Sequence, residues 1–216
     1  MVWVINKFKN LWLLFKIKEG DMMFETLLPL IILFFVIFDP LASLVVFIAA
    51  SANMSKGERR LTATLAVLVA ASLSFLVLIF GQNLLTLFST TIDEFRIAGG
   101  IILGILGVKM ALGLPLTHLE DVKNSSGKAI ASIIGTPLLT GPASITTIII
   151  SVNDYGRATT GFAIAIVLCL TAIIFQLSGI ISKLGKTAIQ VTSTVLGLIT
   201  IAWGVKLVAS GILAIF

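Results

Sequence analysis

The 216-residue chain has very few of the residues on which most enzyme chemistry and most soluble surfaces depend. Its single cysteine, Cys169, excludes a disulfide framework and a cysteine-based zinc site, and its single histidine, His118, argues against a histidine-ligated metal centre or a catalytic triad. Charged residues make up 12% of the chain and hydrophobic residues 58%. Since this balance supplies too little polar surface for a soluble domain of this size, a soluble globular protein is excluded.

Long apolar runs take the place of the missing polar residues. A bilayer core about 30 Å thick requires roughly 20 apolar residues for each helix that crosses it. The sequence therefore predicts an all-α membrane protein with six transmembrane helices. The six stretches that meet the requirement are residues 24–53, 61–82, 95–116, 129–152, 158–182 and 188–215.

The distribution of positive charge indicates a membrane topology and not a nucleic-acid partner. The formal net charge is +5, but the lysines and arginines lie almost entirely between the apolar runs. Loops two and four carry only Arg96 and Arg157. The odd-numbered loops are richer in cations, so they are expected inside the cell and both termini outside. The cations of loops one, three and five are Lys56, Arg59, Arg60, Lys123, Lys128, Lys183 and Lys186.

Residues 1–21 form an amphipathic N-terminal segment that mixes Trp and Phe with four lysines. No uncharged run in it is long enough to span a bilayer, and its order of charges is not that of a signal peptide. We expect either a helix that lies in the membrane interface or a dispensable extension, since Met22 or Met23 could also start the chain. Its lysines, counted with the outer loops, nearly erase the charge bias.

The two halves of the chain align without a gap at an offset of 97 residues. The matches predict two three-helix units, residues 22–120 and 121–216. Because three crossings reverse the direction of entry, the second unit would be inverted relative to the first, an arrangement typical of secondary transporters. An accidental match between apolar helices is the alternative. The matched pairs include Pro40 with Pro137, Ser43 with Thr140, Gly100 with Gly197 and Gly107 with Gly204.

The first apolar stretch is too long for one crossing and is interrupted near its middle. Pro40 removes a backbone donor and disfavours helical geometry at Asp39, so a broken helix is expected. An ionised carboxylate at the centre of a span costs about 2.5–3.5 kcal/mol on insertion scales. A substrate ammonium group, Na⁺, a proton or the positive end of a half-helix could offset that cost. The alternative is a structural role, in which Asp39 only caps the second half-helix.

The fourth apolar stretch carries a second predicted break, at residues 135–147. Two prolines and two glycines lie near its middle, and the half-helix after Pro142 would point free N–H groups toward an anion such as a carboxylate. Thr136 stands where the first half has Asp39, so the combined site would be acidic on one side and neutral on the other. A zwitterionic amino acid fits this asymmetry; two kinks that only shape the bundle are the alternative. The candidate substrate-binding residues are Asp39, Pro40, Ser43, Thr136, Pro137, Thr140, Gly141 and Ser144.

The third apolar stretch contains glycines at i, i+4 and i+7, which would form one groove-like helix face. Small residues on one face let two membrane helices approach closely, although the first of these glycines could also border a cavity. Lys109 and Lys206, at equivalent positions of the two halves, are expected to extend to opposite interfaces and not to bind substrate. The predicted helix-packing residues are Gly99, Gly100, Gly104 and Gly107.

Three motifs occur in a fixed order along the chain: Asp39-Pro40, FRIAGG at residues 95–100 and PLLTGP at residues 137–142. This combination, over about residues 22–216, resembles the MarC family of six-helix integral membrane proteins. The resemblance implies a plasma-membrane transporter of small neutral amino acids such as glycine and alanine, driven by an ion gradient, with both termini outside. Family members commonly have polar residues soon after the Asp-Pro pair, where this chain has Ala42 and Ser43.

The hypothesis that follows is a secondary active transporter, in the cell membrane, that binds a small neutral amino acid between two broken helices. Asp39 would bind the ammonium group or couple the ion, with a proton preferred to Na⁺. Thr140, Gly141 and Ser144 would hold the carboxylate. No cofactor, metal site or catalytic residue is expected. The rivals are a passive channel or exporter for small polar solutes, an intramembrane enzyme, for which the spans lack a nucleophile with a base, and a non-transporting scaffold.

Overall fold

The computed structural model describes residues 25–114, 126–181 and 186–215, and these residues are entirely helical or in turns, with no strand. The predicted all-helical class is therefore confirmed for this part of the chain. The amphipathic segment 1–21 and the boundary between the two predicted units lie outside the described residues. By length and composition, four helices in these three ranges can cross a membrane: Glu25–Ala50, Lys56–Leu87, Pro142–Gln176 and Val191–Ile215.

Capping residues set the helix boundaries in the first half of the chain. Asp39 separates α1 from α2 because its backbone is left-handed (φ 38°, ψ 65°), a region that Asp tolerates better than most residues. Ser55 forms a capping box with Glu58 at the start of α3, and Thr91 forms one with Glu94 at the start of α4. The helices are α1 (residues 25–38), α2 (Pro40–Ala50), α3 (Lys56–Leu87) and α4 (Ile92–Ala111).

The second half contains two further departures from helical geometry. Thr136 is extended (φ −149°, ψ 115°) inside a π-helical segment, and it follows Asp39 by the offset of 97 residues that aligns the two halves. Gly156 divides α6, since its φ of 79° lies in the left-handed region that glycine adopts without steric penalty. The elements are α5 (Gly127–Ile133), the π-helix (Ile134–Leu139), α6 (Pro142–Gln176), α7 (Ser178–Ile181) and α8 (Lys186–Ile215).

α4 packs chiefly along α8, and the two helices run antiparallel. A Cβ added to Gly100 would lie 2.5 Å from the carbonyl oxygen of Gly204, and one added to Gly107 would lie 2.7 Å from the carbonyl oxygen of Gly197. These distances leave no room for a side chain. The two backbones are therefore in direct contact, as small residues allow in membrane helices.

The other two predicted helix-packing glycines have different surroundings. A Cβ on Gly99 would overlap the side chain of Thr146, so this side of α4 faces α6. A Cβ on Gly104 would have no atom within 4 Å, although the amide nitrogen of Gly104 lies 2.9 Å from where a Cβ on Gly204 would stand. Glycines thus lie on two adjacent faces of α4: Gly99 faces α6, and Gly100 and Gly107 face α8.

Between Val191 and Ile215, the outer surface of α8 is apolar apart from Thr192 and Lys206. The most exposed of its large side chains, Leu213, is 82% exposed, and a soluble helix would carry charged residues on such a face. The interior is packed with aromatic and aliphatic side chains, for example Phe47 stacked on Phe175 with ring centroids 5.2 Å apart. Both the exterior and the interior of the helix bundle are therefore apolar, as expected for a protein surrounded by lipid. The exposed apolar residues of α8 include Val191, Val195, Leu198, Val205 and Leu213.

The structure supports fewer apolar spans than the six predicted. α4 is 20 residues long, and Asp93, Glu94 and Arg96 lie in its first turns, which lowers its apolar character below that of the four spans. The fourth predicted stretch is divided at Thr136 and continues through Gly156 into the fifth. The arrangement of six crossings in two inverted units therefore stays a prediction at this point.

Candidate functional site

Asp39 is a carboxylate buried in the middle of the first apolar span. It is 2% exposed and caps α2, where its Oδ1 accepts a hydrogen bond from the backbone N–H of Ala42 at 3.1 Å. Pro40 occupies the first turn of α2, where a missing N–H removes no helical hydrogen bond. The Asp-Pro sequence thus ends α1, begins α2 and places the carboxylate at the positive end of a half-helix.

The other carboxylate oxygen of Asp39 is contacted from the second half of the chain. The hydroxyl of Ser193, in α8, donates to Oδ2 at 3.4 Å. No lysine or arginine in the described part of the chain forms a salt bridge with Asp39; both salt bridges found there belong to Arg96. Among the described residues, Asp39 therefore has two neutral donors and no counter-ion. A buried carboxylate in this situation requires a proton or a cation.

One turn further along α2, Ser43 carries a buried hydroxyl without a partner. Its backbone N–H donates to the carbonyl oxygen of Asp39 at 3.1 Å, and its side chain is 1% exposed. The hydroxyl itself makes no hydrogen bond to any residue that the structure describes. An unsatisfied buried hydroxyl costs about 1–3 kcal/mol, so the position calls for a ligand or a water molecule that would satisfy it.

The hydroxyl groups of the second break are already used by the protein. Thr140 is fully buried, donates to the carbonyl oxygen of Ala70 at 3.2 Å and lies 3.3 Å from the hydroxyl of Ser74. Ser144 donates to the carbonyl oxygen of Leu139 at 2.9 Å. A hydroxyl has one proton to donate, so neither group has a second proton for a carboxylate. Both keep lone pairs that can accept.

Free donors at the second break come from the backbone. The first helical hydrogen bond of α6 runs from the N–H of Ile145 to the carbonyl oxygen of Gly141 at 3.0 Å. The N–H groups of Ala143 and Ser144 precede it and have no partner within the helix, as is usual for the first turn. α6 begins at Pro142 and is a long helix, so these N–H groups also lie at the positive end of its dipole.

A cavity of about 240 Å³, termed the Lys109 cavity, lies next to both breaks. Ile37, two residues before Asp39, lines it together with Gly141 and Ser144 of the second break and with Lys109 at the end of α4. The second break thus lines this cavity directly, whereas the first span reaches it through Ile37. Asp39 itself is not in its lining; neither are Pro40, Ser43 and Thr140.

The remaining predicted site residues are placed differently. Thr136, the positional equivalent of Asp39, is exposed. Of Pro137 the structure describes the backbone but not the surroundings of the side chain. Thr136 therefore does not repeat the buried position that Asp39 holds in the first half.

Sequence reasoning missed Ser193, the residue of α8 that contacts Asp39. A signal for it exists in the sequence, because small residues recur along α8 at spacings of three, four and seven. This pattern marks one helix face, and the structure buries it against the rest of the bundle. The buried residues of this face are Ser193, Gly197, Thr200, Gly204 and Gly211.

The helical fold, the apolar exterior and the buried carboxylate define an α-helical membrane protein. Comparison with known families makes the assignment specific, since residues 24–216 match the description "MarC family integral membrane protein". The chain belongs to the MarC family, as its motifs predicted, and is a multi-pass integral membrane protein.

Relatives from distant organisms agree with this assignment. The UPF0056 membrane protein YvbG of Bacillus subtilis is 29% identical over 207 residues, which cover 90% of this chain and 98% of the relative. The UPF0056 membrane protein YhcE of Escherichia coli is 29% identical over 192 residues, which cover 84% and 89%. These names describe membrane proteins without stating an activity. No solved structure matches this chain.

Proposed function

We propose that the protein is a secondary active transporter of small neutral amino acids such as glycine and alanine. The observation that carries the proposal is Asp39, a buried carboxylate at an interruption of an apolar span, for which the described part of the chain supplies no counter-ion. Such a group is costly in a membrane and is expected where it binds a charged substrate or a coupling ion. A proton is our first choice for the coupling ion, and Na⁺ the second.

The proposal includes two inverted three-helix units, and the contact between α4 and α8 supports it. Gly100 contacts Gly204, and Gly107 contacts Gly197. The offset of 97 residues aligns Gly100 with Gly197 and Gly107 with Gly204. Each of the two contacts is therefore the repeat equivalent of the other. A two-fold axis between two antiparallel helices produces this equivalence. Inverted units related by such an axis can alternate in conformation and thereby open one site to either side.

The charges at the two breaks suit a zwitterion. Asp39 would receive the ammonium group, with the free hydroxyl of Ser43 one turn away. The carboxylate would accept hydrogen bonds from the N–H groups of Ala143 and Ser144 at the start of α6. In this assignment Thr140 positions the second break against α3 and does not itself donate to the substrate.

The volume of the Lys109 cavity favours a small substrate. Its 240 Å³ lie below the range of about 300–1,000 Å³ that drug-sized ligands occupy. At about 30 Å³ per water molecule, this volume corresponds to about eight water molecules. Glycine and alanine fit in this space.

The test is uptake of labelled glycine by protein reconstituted into proteoliposomes. Under an inward proton gradient, we expect the wild-type protein to accumulate glycine and Asp39→Asn to lose this accumulation. Asn keeps the shape of the side chain and can still accept from the N–H of Ala42, but it can neither carry the negative charge nor release a proton. The matched control is Glu25→Gln, an exposed carboxylate near the start of the same span, which should transport like the wild type.

Uptake by Asp39→Asn at wild-type rates would refute the role of Asp39. Counterflow distinguishes the protein from a passive channel, the rival with the same architecture. Proteoliposomes are preloaded with unlabelled glycine and given labelled glycine outside. A carrier transiently concentrates the labelled glycine inside, whereas a channel only equilibrates it.

A further inference from the structure

A second cavity, of about 250 Å³, lies between α1, α4, α6 and α8 and is termed the Lys206 cavity. Leu33 and Leu103 form part of its apolar wall, and its polar lining includes Arg96, Asp154 and Lys206. No predicted substrate-binding residue lines it. Lys206 lies 13 residues beyond Ser193, which corresponds to about 20 Å along α8. The Lys206 cavity is therefore separate from the two breaks.

One cation of this cavity has no anionic partner in the described part of the chain. Arg96 donates to Asp93 at 2.6 Å and also to Asp154, so two carboxylates neutralise it. Lys206 makes no salt bridge there; its Nζ lies 4.9 Å from the centre of the Trp203 ring. A cation over an aromatic face keeps its charge and its N–H donors available. Lys206 is therefore the cation of this lining that can pair with an anion.

The neighbouring polar groups narrow the class of anion. Ser151 lines the cavity and is 2% exposed, and no hydrogen bond of its hydroxyl is found among the described residues. The hydroxyl groups of Thr147 and Ser210 also line the cavity, but they donate to carbonyl oxygens of their own helices. Among the described residues, the lining donors without a hydrogen-bond acceptor include the ammonium of Lys206, the hydroxyls of Ser151 and Tyr155 and the indole N–H of Trp203, beside an apolar wall. This set suits a carboxylate with a short apolar body.

We propose that the Lys206 cavity is a second binding site, which holds a small carboxylate against Lys206 and Ser151. A simple monocarboxylate and the carboxylate end of an amino acid present the same group to this site. The proposal goes beyond transport at Asp39 and does not depend on it, because the two sites share no residue.

Trp203 makes the site directly measurable. The chain has three tryptophans, so replacing Trp3 and Trp12 by Phe in the full-length protein leaves Trp203 as the single indole fluorophore. Purified protein in a chloride buffer is titrated with acetate, with glycine and with glycinamide, which lacks a carboxylate. We expect a saturable change of Trp203 fluorescence with acetate and glycine and none with glycinamide. If acetate saturates the signal, the carboxylate is sufficient for recognition. If glycine saturates the signal and acetate does not, the site recognises the ammonium group as well.

Variants separate this site from the breaks and from structural damage. Lys206→Met, which keeps an unbranched side chain but lacks the ammonium, should weaken carboxylate binding by about tenfold or more, the effect of losing a hydrogen bond to a charged group. Lys206→Arg should retain binding, and this shows that the position tolerates substitution. Lys109→Met, at the equivalent lysine of the other cavity, and Asp39→Asn should leave the titration unchanged.

Three results would overturn the proposal. They are the absence of a saturable signal with either carboxylate in the folded protein, equal responses to acetate and glycinamide, and wild-type binding by Lys206→Met. Loss of the signal in Asp39→Asn would assign the binding to the first break and would equally contradict a separate site. Failure of glycine uptake with an intact titration would affect only the transport proposal.

Discussion

Replacing Gly100 by Ala should loosen the contact between α4 and α8, whereas the same replacement at Gly104 should not. The added methyl group at Gly100 would lie 2.5 Å from the carbonyl oxygen of Gly204 and 2.9 Å from the amide nitrogen of Val208. Both are backbone atoms, so neither can rotate away, and the helices must move apart. Overpacking of this kind costs about 1–3 kcal/mol. At Gly104 the added group would meet no atom within 4 Å.

The comparison of the two variants isolates the packing cost. Each exchange of glycine for alanine gains about the same helix propensity, up to ~1 kcal/mol, so this gain cancels in the difference. At about 2–4 °C for each kcal/mol in a chain of this size, Gly100→Ala should unfold several degrees below Gly104→Ala. To measure the difference in unfolding temperature, samples of each variant in detergent are heated to a series of temperatures, and the protein that remains folded is quantified by size-exclusion chromatography. Equal unfolding temperatures would refute the direct backbone contact inferred from these distances.

Two further substitutions test the groups around the breaks. Thr140→Val should lower the free energy of unfolding by about 1–2 kcal/mol, because it removes the hydrogen bonds to Ala70 and Ser74 while it keeps the shape of the side chain; an unchanged denaturation midpoint would contradict this anchoring role. Ser193→Ala should raise the glycine concentration for half-maximal uptake several-fold, because Asp39 loses one of its two donors; unchanged uptake kinetics would remove Ser193 from the site.

The interruptions of the helices could be predicted because their causes are local. Pro40 restricts the backbone of Asp39, and a short polar side chain at that position caps the next half-helix without help from distant residues. Pro142 likewise occupies the first turn of α6, where a proline is tolerated. The propensities of one to three neighbouring residues decided each of these features.

The partners of the polar side chains could not be predicted in the same way, because they depend on packing between distant segments. Ser193 reaches Asp39 from 154 residues away. Thr140 reads in the sequence as a free hydroxyl near a helix break, but the approach of α3 supplies the carbonyl oxygen of Ala70 to which it donates. Sequence spacing identifies a group that can donate a hydrogen bond, whereas only the tertiary structure decides which acceptor it meets.

The surroundings of Lys206 depend on packing between distant segments as well. Its position near the end of an apolar helix predicts a side chain that extends toward the interface. In the structure it lies over Trp203 and lines a cavity that four helices form together. A cavity of this kind arises from the way helices pack and leaves no periodic pattern in any one of them.

The accumulation of glycine against its gradient tests the central claim most directly. Proteoliposomes that contain the wild-type protein are given labelled glycine together with an imposed inward proton gradient, and internal glycine is followed before and after addition of a protonophore. The account predicts that internal glycine rises above the external concentration and falls back when the protonophore dissipates the gradient. Internal glycine that only reaches the external concentration, with or without the gradient, would contradict a proton-coupled carrier.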